Sequence, residues 1–211
     1  MKTWLITGCS SGFGRNLAET LLSEGEQVIV TARKPKTIQH FAKNYPQTAL
    51  CLRLDVTKKD TIDATVNAAI EKFGKIDVLI NNAGYCLRGA VEECTEEEIY
   101  AEFNTNFFGA VRMIQAVLPH MRKAGIGAII NYSSIAALDT SAGSAFYGAA
   151  KCALEGLSCG LRKEVEPLGI KVMVVESVIS LRWISSGATW VGPANLSRTS
   201  FKDRMLRTTF S

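Results

Sequence analysis

The chain has 211 residues, 47% of them hydrophobic and 21% charged, with 17 glycines and 5 prolines, a balance typical of folded globular domains that excludes disordered and collagen-like architectures. A chain of this size is expected to form one domain with a sizeable core. Its net charge of +4 is confined to residues 177–211, where Arg182, Arg198, Lys202, Arg204 and Arg207 face Asp203 alone, while the first 176 residues hold 19 basic and 19 acidic side chains; a neutral body lacks the electrostatic footprint of a nucleic-acid binder.

No apolar run approaches the ~20 residues of a membrane helix, and Trp4–Ile6 is too short for the core of a signal peptide. A cytoplasmic location is therefore expected, with Cys9, Cys51, Cys86, Cys94, Cys152 and Cys159 as reduced, mostly buried thiols. With His40 and His120 as the two histidines and no metal-ligand spacing, a zinc site is not expected.

In chain order, the β-rich runs Thr3–Thr7, Gln27–Ala32, Ala49–Leu54, Val78–Asn81, Gly127–Tyr132 and Lys171–Val175 predict six strands separated by helices, hence parallel βαβ units. These runs are apolar on both faces, as a sheet covered by helices on both sides requires. The fold class is α/β: a single domain on a doubly wound parallel sheet of the Rossmann type, strand order 3-2-1-4-5-6, without a seventh strand. Arg15–Glu24 predicts the first amphipathic helix. Thr57 with Asp60, and Thr95 with Glu98, each place an N-cap acceptor and an acid three residues on. The acidic group Glu92, Glu93, Glu96, Glu97 and Glu98 reads as a solvated helix entrance, and Pro119 and Pro167 fall near the ends of long helical patterns.

The first strand runs into Thr7-Gly8-Cys9-Ser10-Ser11-Gly12-Phe13-Gly14 and then a helix. Glycines there permit a tight turn and let the backbone approach a pyrophosphate over the helix N-terminus. A glycine-rich turn without a ligand is the alternative, and the position between first strand and helix favours a dinucleotide.

The spacing Gly-x-x-x-Gly-x-Gly at Gly8, Gly12 and Gly14 is joined by Asp55 after the third strand, Asn81-Asn82-Ala83-Gly84 ending the fourth, Asn106 on the next helix, Ser134 after the fifth strand, and Tyr147-x-x-x-Lys151. Over residues 1–176 this set resembles the short-chain dehydrogenase/reductases, in particular their NADP-preferring, retinol/hydroxysteroid dehydrogenase-like branch. The resemblance implies a cofactor held by the turn residues Gly8, Ser10, Ser11, Gly12, Phe13 and Gly14. It brings the Asp55 carboxylate to the adenine amino group, with a backbone contact from Val56; Asp55 as a turn or cap residue beside Thr57 is the alternative. It assigns Asn82, Ala83 and Gly84 to the cofactor side and to holding the central sheet.

At the end of the second strand, Thr31-Ala32-Arg33-Lys34 lacks the acid that would bind the adenosine ribose of NAD. Arg33 instead offers a planar fork to a 2′-phosphate, with Ser10 and Lys34 as assistants, so NADP(H) is expected over NAD.

Tyr147 and Lys151, four apart on a predicted helix, project from one face. Ser134 lies thirteen residues upstream, past a strand's carboxyl end, where open α/β sheets bind ligands. The expected reaction is hydride exchange between a nicotinamide and the carbon of a carbonyl or secondary alcohol, on an apolar, steroid- or retinoid-like substrate, with Tyr147 as proton partner and Ser134 bonded to the developing alkoxide. Ser133 competes for the serine role. A phenol of pKa ~10 is poorly matched to this work, and the charges of Lys151 and the nicotinamide are expected to lower it; about three units would take roughly 4 kcal/mol. The resemblance further implies that Lys151 holds the nicotinamide ribose and Asn106 positions a water leading from Lys151 to solvent. It also implies homo-dimers or homo-tetramers through helices at about Asn104–Lys123 and Phe146–Glu166.

The family usually continues past the sixth strand with Pro-Gly and a nearby Thr, whereas this chain reads Ser177-Val178-Ile179-Ser180-Leu181-Arg182. Residues 177–211 also hold seven serines, four threonines and two of the three tryptophans. This break points to a shifted reading frame, an alternative exon or a damaged C-terminus. The alternatives are a divergent lid, with Trp183 and Trp190 over an apolar substrate, or a disordered tail. A second functional reading follows: an NADP-binding protein whose incomplete pocket wall impairs catalysis.

Overall fold

A computed structural model describes the backbone of residues 1–177 and 190–191 and the side chains of residues 1–176. The elements are β1 (Thr3–Ile6), α1 (Gly12–Ser23), β2 (Gln27–Ala32), α2 (Gln39–Asn44), β3 (Ala49–Arg53), α3 (Lys59–Phe73), β4 (Val78–Asn81), β5 (Cys86–Leu87), α4 (Glu96–Asn106), α5 (Phe108–Ala124), β6 (Gly127–Ser134), α6 (Ala145–Val165), β7 (Ile170–Ser177) and β8 (Trp190–Val191). Six strands pair in parallel in the order β3-β2-β1-β4-β6-β7. This is the expected order; the numbering shifts because the two-residue β5 intervenes in sequence. β5 pairs in parallel with β8, a contact the sequence did not announce.

The strands are apolar on both faces because each face is covered. Leu5, Ile29, Leu79 and Ile129 meet Ile62 and Val66 of α3, Met113 and Val117 of α5, and Leu161 and Val165 of α6. On the other face, Ile6, Val28, Val30 and Ile80 meet Ala18, Leu21 and Leu22 of α1 and Phe41 of α2. Each aliphatic or aromatic side chain fully buried this way contributes roughly 1.5–3 kcal/mol of transfer free energy. Rigid strands thus end along one rim, where β1 and β4 run side by side and their crossovers depart in opposite directions.

Several local expectations are corrected. The cap predicted at Thr57 does not form: α3 begins after Lys58, and the Thr57 N–H and hydroxyl both bond Asp55 Oδ1. The Thr95 cap does form, with Glu98 reciprocating at the Thr95 N–H. The helix expected over Asn104–Lys123 is two helices meeting at Phe107, whose backbone departs from helical geometry at φ −111°; the Asn104 carbonyl there accepts from the Arg112 guanidinium at 3.4 Å. Pro119 lies within α5 rather than at its end, and Gly125, at φ 66°, terminates that helix. The thiols are free but not mostly buried: Cys9 is buried, while Cys152 and Cys159 are exposed. No helix among the described residues is long and apolar enough to cross a membrane. The expectations for the tail and for a missing seventh strand fall on residues 178–189 and 192–211, outside the described residues.

Candidate active site

The turn after β1 is built by packing as much as by glycine freedom. Gly8 has φ 77°, and a Cβ on Gly14 would lie 2.7 Å from the Gly8 carbonyl oxygen and against the Asn82 amide. That amide donates to Thr7 O at 2.8 Å and Gly8 O at 3.1 Å. The Thr7 hydroxyl accepts the N–H groups of Asn82 and Ala83. Sequence reasoning passed over Thr7, whose buried hydroxyl joins the β1 and β4 exits. α1 begins at Ser11 with no side-chain cap and no acid in its first turn, so its leading N–H groups and positive dipole end suit an anion. This donor set fits the pyrophosphate of a dinucleotide.

At the end of β2, Arg33 and Lys34 are exposed, and the Arg33 charge reaches Asp55. Burial pushes the Asp55 carboxyl up, but the two Thr57 hydrogen bonds and the charges of Arg33 and Lys58 outweigh it and hold it below the usual range. The Asp55 Oδ1 is thus bonded to Thr57 in the turn that follows β3. Val56 is buried and presses on Gly109 at the start of α5.

Ser134, Tyr147 and Lys151 converge at the C-terminal end of β6. Ser134 is fully buried at the strand's last position and accepts the Ala136 N–H at 3.2 Å, and its side chain is near enough to Tyr147 to favour the charged form of the phenol. Tyr147 is 8% exposed and Lys151 5%. The Lys151 Nζ donates to Tyr132 O at 2.7 Å and lies 5.6 Å from the Tyr147 ring centroid. Asn106 ends α4, accepting the Tyr85 N–H at 3.0 Å and donating to Tyr85 O at 2.7 Å. Gly84 sits between these groups: a Cβ there would meet Asn106 Oδ1 at 2.9 Å and Lys151 Nζ at 3.8 Å.

Burial pushes the Tyr147 phenol up to about 12, and the Ser134 side chain opposes that rise. Burial also lowers Lys151 to about 8, against support from Glu102. Glu102, Cys86 and Arg88 all act on Tyr147, and none stood out in the sequence. Glu102 follows five exposed or half-buried acids on one acidic segment, and only the packing of α4 on α6 sets it apart.

The sequence profile of the short chain dehydrogenases matches residues 2–179, and the chain belongs to that family. It is 46% identical over 172 residues to the 3-ketodihydrosphingosine reductase of Bacteroides thetaiotaomicron, a match covering 82% of this chain and 61% of that protein. The chain spans between 56% and 64% of the length of this and two other curated relatives. The solved structure of ElxO with NADP bound is 30% identical with a TM-score of 0.79, covering 100% of this chain and 80% of that one. The 3-ketoacyl-(acyl-carrier-protein) reductase of Brucella melitensis complexed with NADH is 27% identical with a TM-score of 0.83, covering 94% and 88%. The protein is thus an oxidoreductase-family chain whose solved neighbours hold nicotinamide cofactors.

Proposed function

We propose that the protein is an NADP(H)-dependent oxidoreductase acting on the carbonyl or secondary-alcohol carbon of a small apolar substrate, with Tyr147 as general acid and base. The observation that carries this reading is the convergence of the Ser134 and Tyr147 hydroxyls and the Lys151 ammonium at the sheet rim that also holds the glycine turn. Gly8, Ser10, Ser11, Gly12, Phe13 and Gly14 would hold the pyrophosphate side, Asp55, Val56, Asn82, Ala83 and Gly84 the adenosine and central portion, and Tyr147 and Lys151 the nicotinamide ribose. The exposed Arg33 fork, with no acid at the end of β2, supports NADP(H) over NAD. The nicotinamide, when bound, supplies or accepts the hydride.

The chain's own residues handle the proton. Tyr147 gives its phenolic proton to the substrate oxygen in reduction and takes it back in oxidation, and Ser134 donates a hydrogen bond to that oxygen as negative charge grows. The relative named 3-ketodihydrosphingosine reductase points to ketones as the substrate class to assay first. Exposed Tyr100 and Phe108, at 62% and 48%, on α4 and α5 support assembly of dimers or tetramers through these helices.

NADPH titration followed by fluorescence, then NADPH oxidation against a panel of ketones and aldehydes, tests the reading. Tyr147→Phe should lower turnover by at least ~100-fold while sparing NADPH affinity; retained turnover would refute the proton-transfer role. Binding without turnover across the panel would favour the second reading, an impaired NADP-binding protein, to which Ser177-Val178 in place of Pro-Gly lends support.

A further inference from the structure

The roles assigned to Ser134, Tyr147, Lys151 and Asn106 leave unused the most deeply buried carboxylate beside them. Glu102 is 0% exposed, one helical turn before Asn106 on α4. Its Oε1 accepts the Leu87 N–H at 2.8 Å and the Asn106 side-chain amide at 3.4 Å. Its Oε2 has no hydrogen-bond partner among the described residues. Across the α4–α6 contact stands Lys151, equally enclosed, whose ammonium has three donors and donates one to Tyr132 O. The two are not in salt-bridge contact; Asn106 lies between, its Nδ2 on Glu102 and its Oδ1 beside the Gly84 position that Lys151 also borders.

A buried ion is tolerated when an opposite charge compensates it. Besides Glu102, the Cys86 thiol also bears on Lys151, but none of the other groups around the pair offers it an anion near pH 7. Tyr147 of α6, and Tyr85 and Cys86 around β5, are phenols and a thiol pushed up by burial, hence neutral near pH 7. So is Cys94 before α4. Arg88 acts on Cys86 and Tyr147 and is itself a cation. Glu98, one turn earlier on α4, receives the Thr95 N–H in the helix cap, and Arg112 of α5 bonds the carbonyls of Val56 and Asn104. Glu102 remains as the anion whose field supports the Lys151 cation.

Resting on the active-site reading above, we propose that Glu102 is a positioning residue for Lys151: its carboxylate is the buried counter-charge that keeps Lys151 an ammonium, acting across the Asn106 amide. A purely structural role, anchoring Leu87, needs only the Oε1 acceptor. Glu102→Gln preserves that acceptor and removes the charge, so the variant separates the two roles.

The test uses protein carrying 13C-labelled lysine side chains, the Lys151 resonance being identified by its loss in Lys151→Met. In Glu102→Gln the Lys151 titration midpoint should fall by about one pH unit or more; an unchanged midpoint overturns the proposal. The reciprocal measurement follows the 13C-labelled side-chain carboxyl of Glu102 in wild type and Lys151→Met, where the midpoint should rise, and a midpoint that stays put again overturns it. This second variant decides the matter if Glu102→Gln does not fold. Neither readout requires turnover, so a failed Tyr147→Phe prediction and a failed Glu102 prediction are separate results.

Discussion

Tyr147 and Lys151 show how far spacing carries an argument about single residues. Four residues on one helix fix a shared face, and both side chains do line one site. Spacing does not set where the tips go: Lys151 Nζ bonds the Tyr132 carbonyl, and burial pushes the Tyr147 phenol up to about 12. Desolvation depends on tertiary packing, so the acid–base character of the pair was not legible in the sequence, although its position was. The reading of Arg33 rests on the missing acid and the added base at one strand end. Arg33→Ala should weaken NADPH binding by about 10- to 100-fold, the loss of charge-assisted hydrogen bonds, and leave NADH nearly unchanged; parallel fluorescence titrations with the two nucleotides measure it.

Glu102 also has a consequence for stability. Burial raises its carboxyl from 4.5 to about 7, so between those values the folded chain binds more protons than the unfolded one. Its contribution is full below about 4.5 and is lost as pH rises through about 7. Lys151 runs the opposite way: lowered from 10.5 to about 8, its contribution is present above 10.5 and lost as pH falls through 8. With both ionised between pH 7 and 8, the pair is least favourable to the fold there. From pH 5.5 to 7.5, Glu102→Gln should gain stability relative to wild type by on the order of 1–3 kcal/mol, measured by urea midpoints. A flat difference across that range would contradict the raised Glu102.

At the scale of elements, strands were the most legible because their apolar runs satisfy two covered faces at once. Helix boundaries were read less well wherever a distant side chain intervened. The α4–α5 break goes with Arg112 reaching the Asn104 carbonyl from eight residues on, and the false cap at Thr57 with Asp55 taking that threonine's donors; both partners must be placed before either feature can be seen. The Thr95 cap needs only its own four residues and was read correctly. Thr95→Ala should cost about 1 kcal/mol of stability, seen as a lower denaturant midpoint with an unchanged slope, and should leave the NADPH affinity as it is.

Across the whole molecule, the order β3-β2-β1-β4-β6-β7 brings residues from Gly8 to Lys151 to one rim, so a site spread over most of the sequence is local in space. This was legible for the residues at strand ends, Gly8, Asp55, Asn82 and Ser134, and for Tyr147 and Lys151 through their spacing on one helix. The β5–β8 pairing was not, since two-residue strands leave no period to detect. Association through α4 and α5 has a direct check. Phe108→Glu places a charge at the exposed Phe108, beside half-buried Phe107 and beneath the Arg112 guanidinium. It should shift the protein to a smaller species in light scattering after size exclusion, with the circular dichroism of the fold retained.

The hydrogen bonds that Thr7 and Asn82 exchange span 75 residues of sequence. They make two loops into one stiff ledge. A guest arriving there finds its berth already set, so little of its association free energy is consumed in immobilising the rim. Backbone amides at Asn82 and Ala83 should accordingly exchange slowly with deuterated solvent before any nucleotide is added, and adding it should slow them little further.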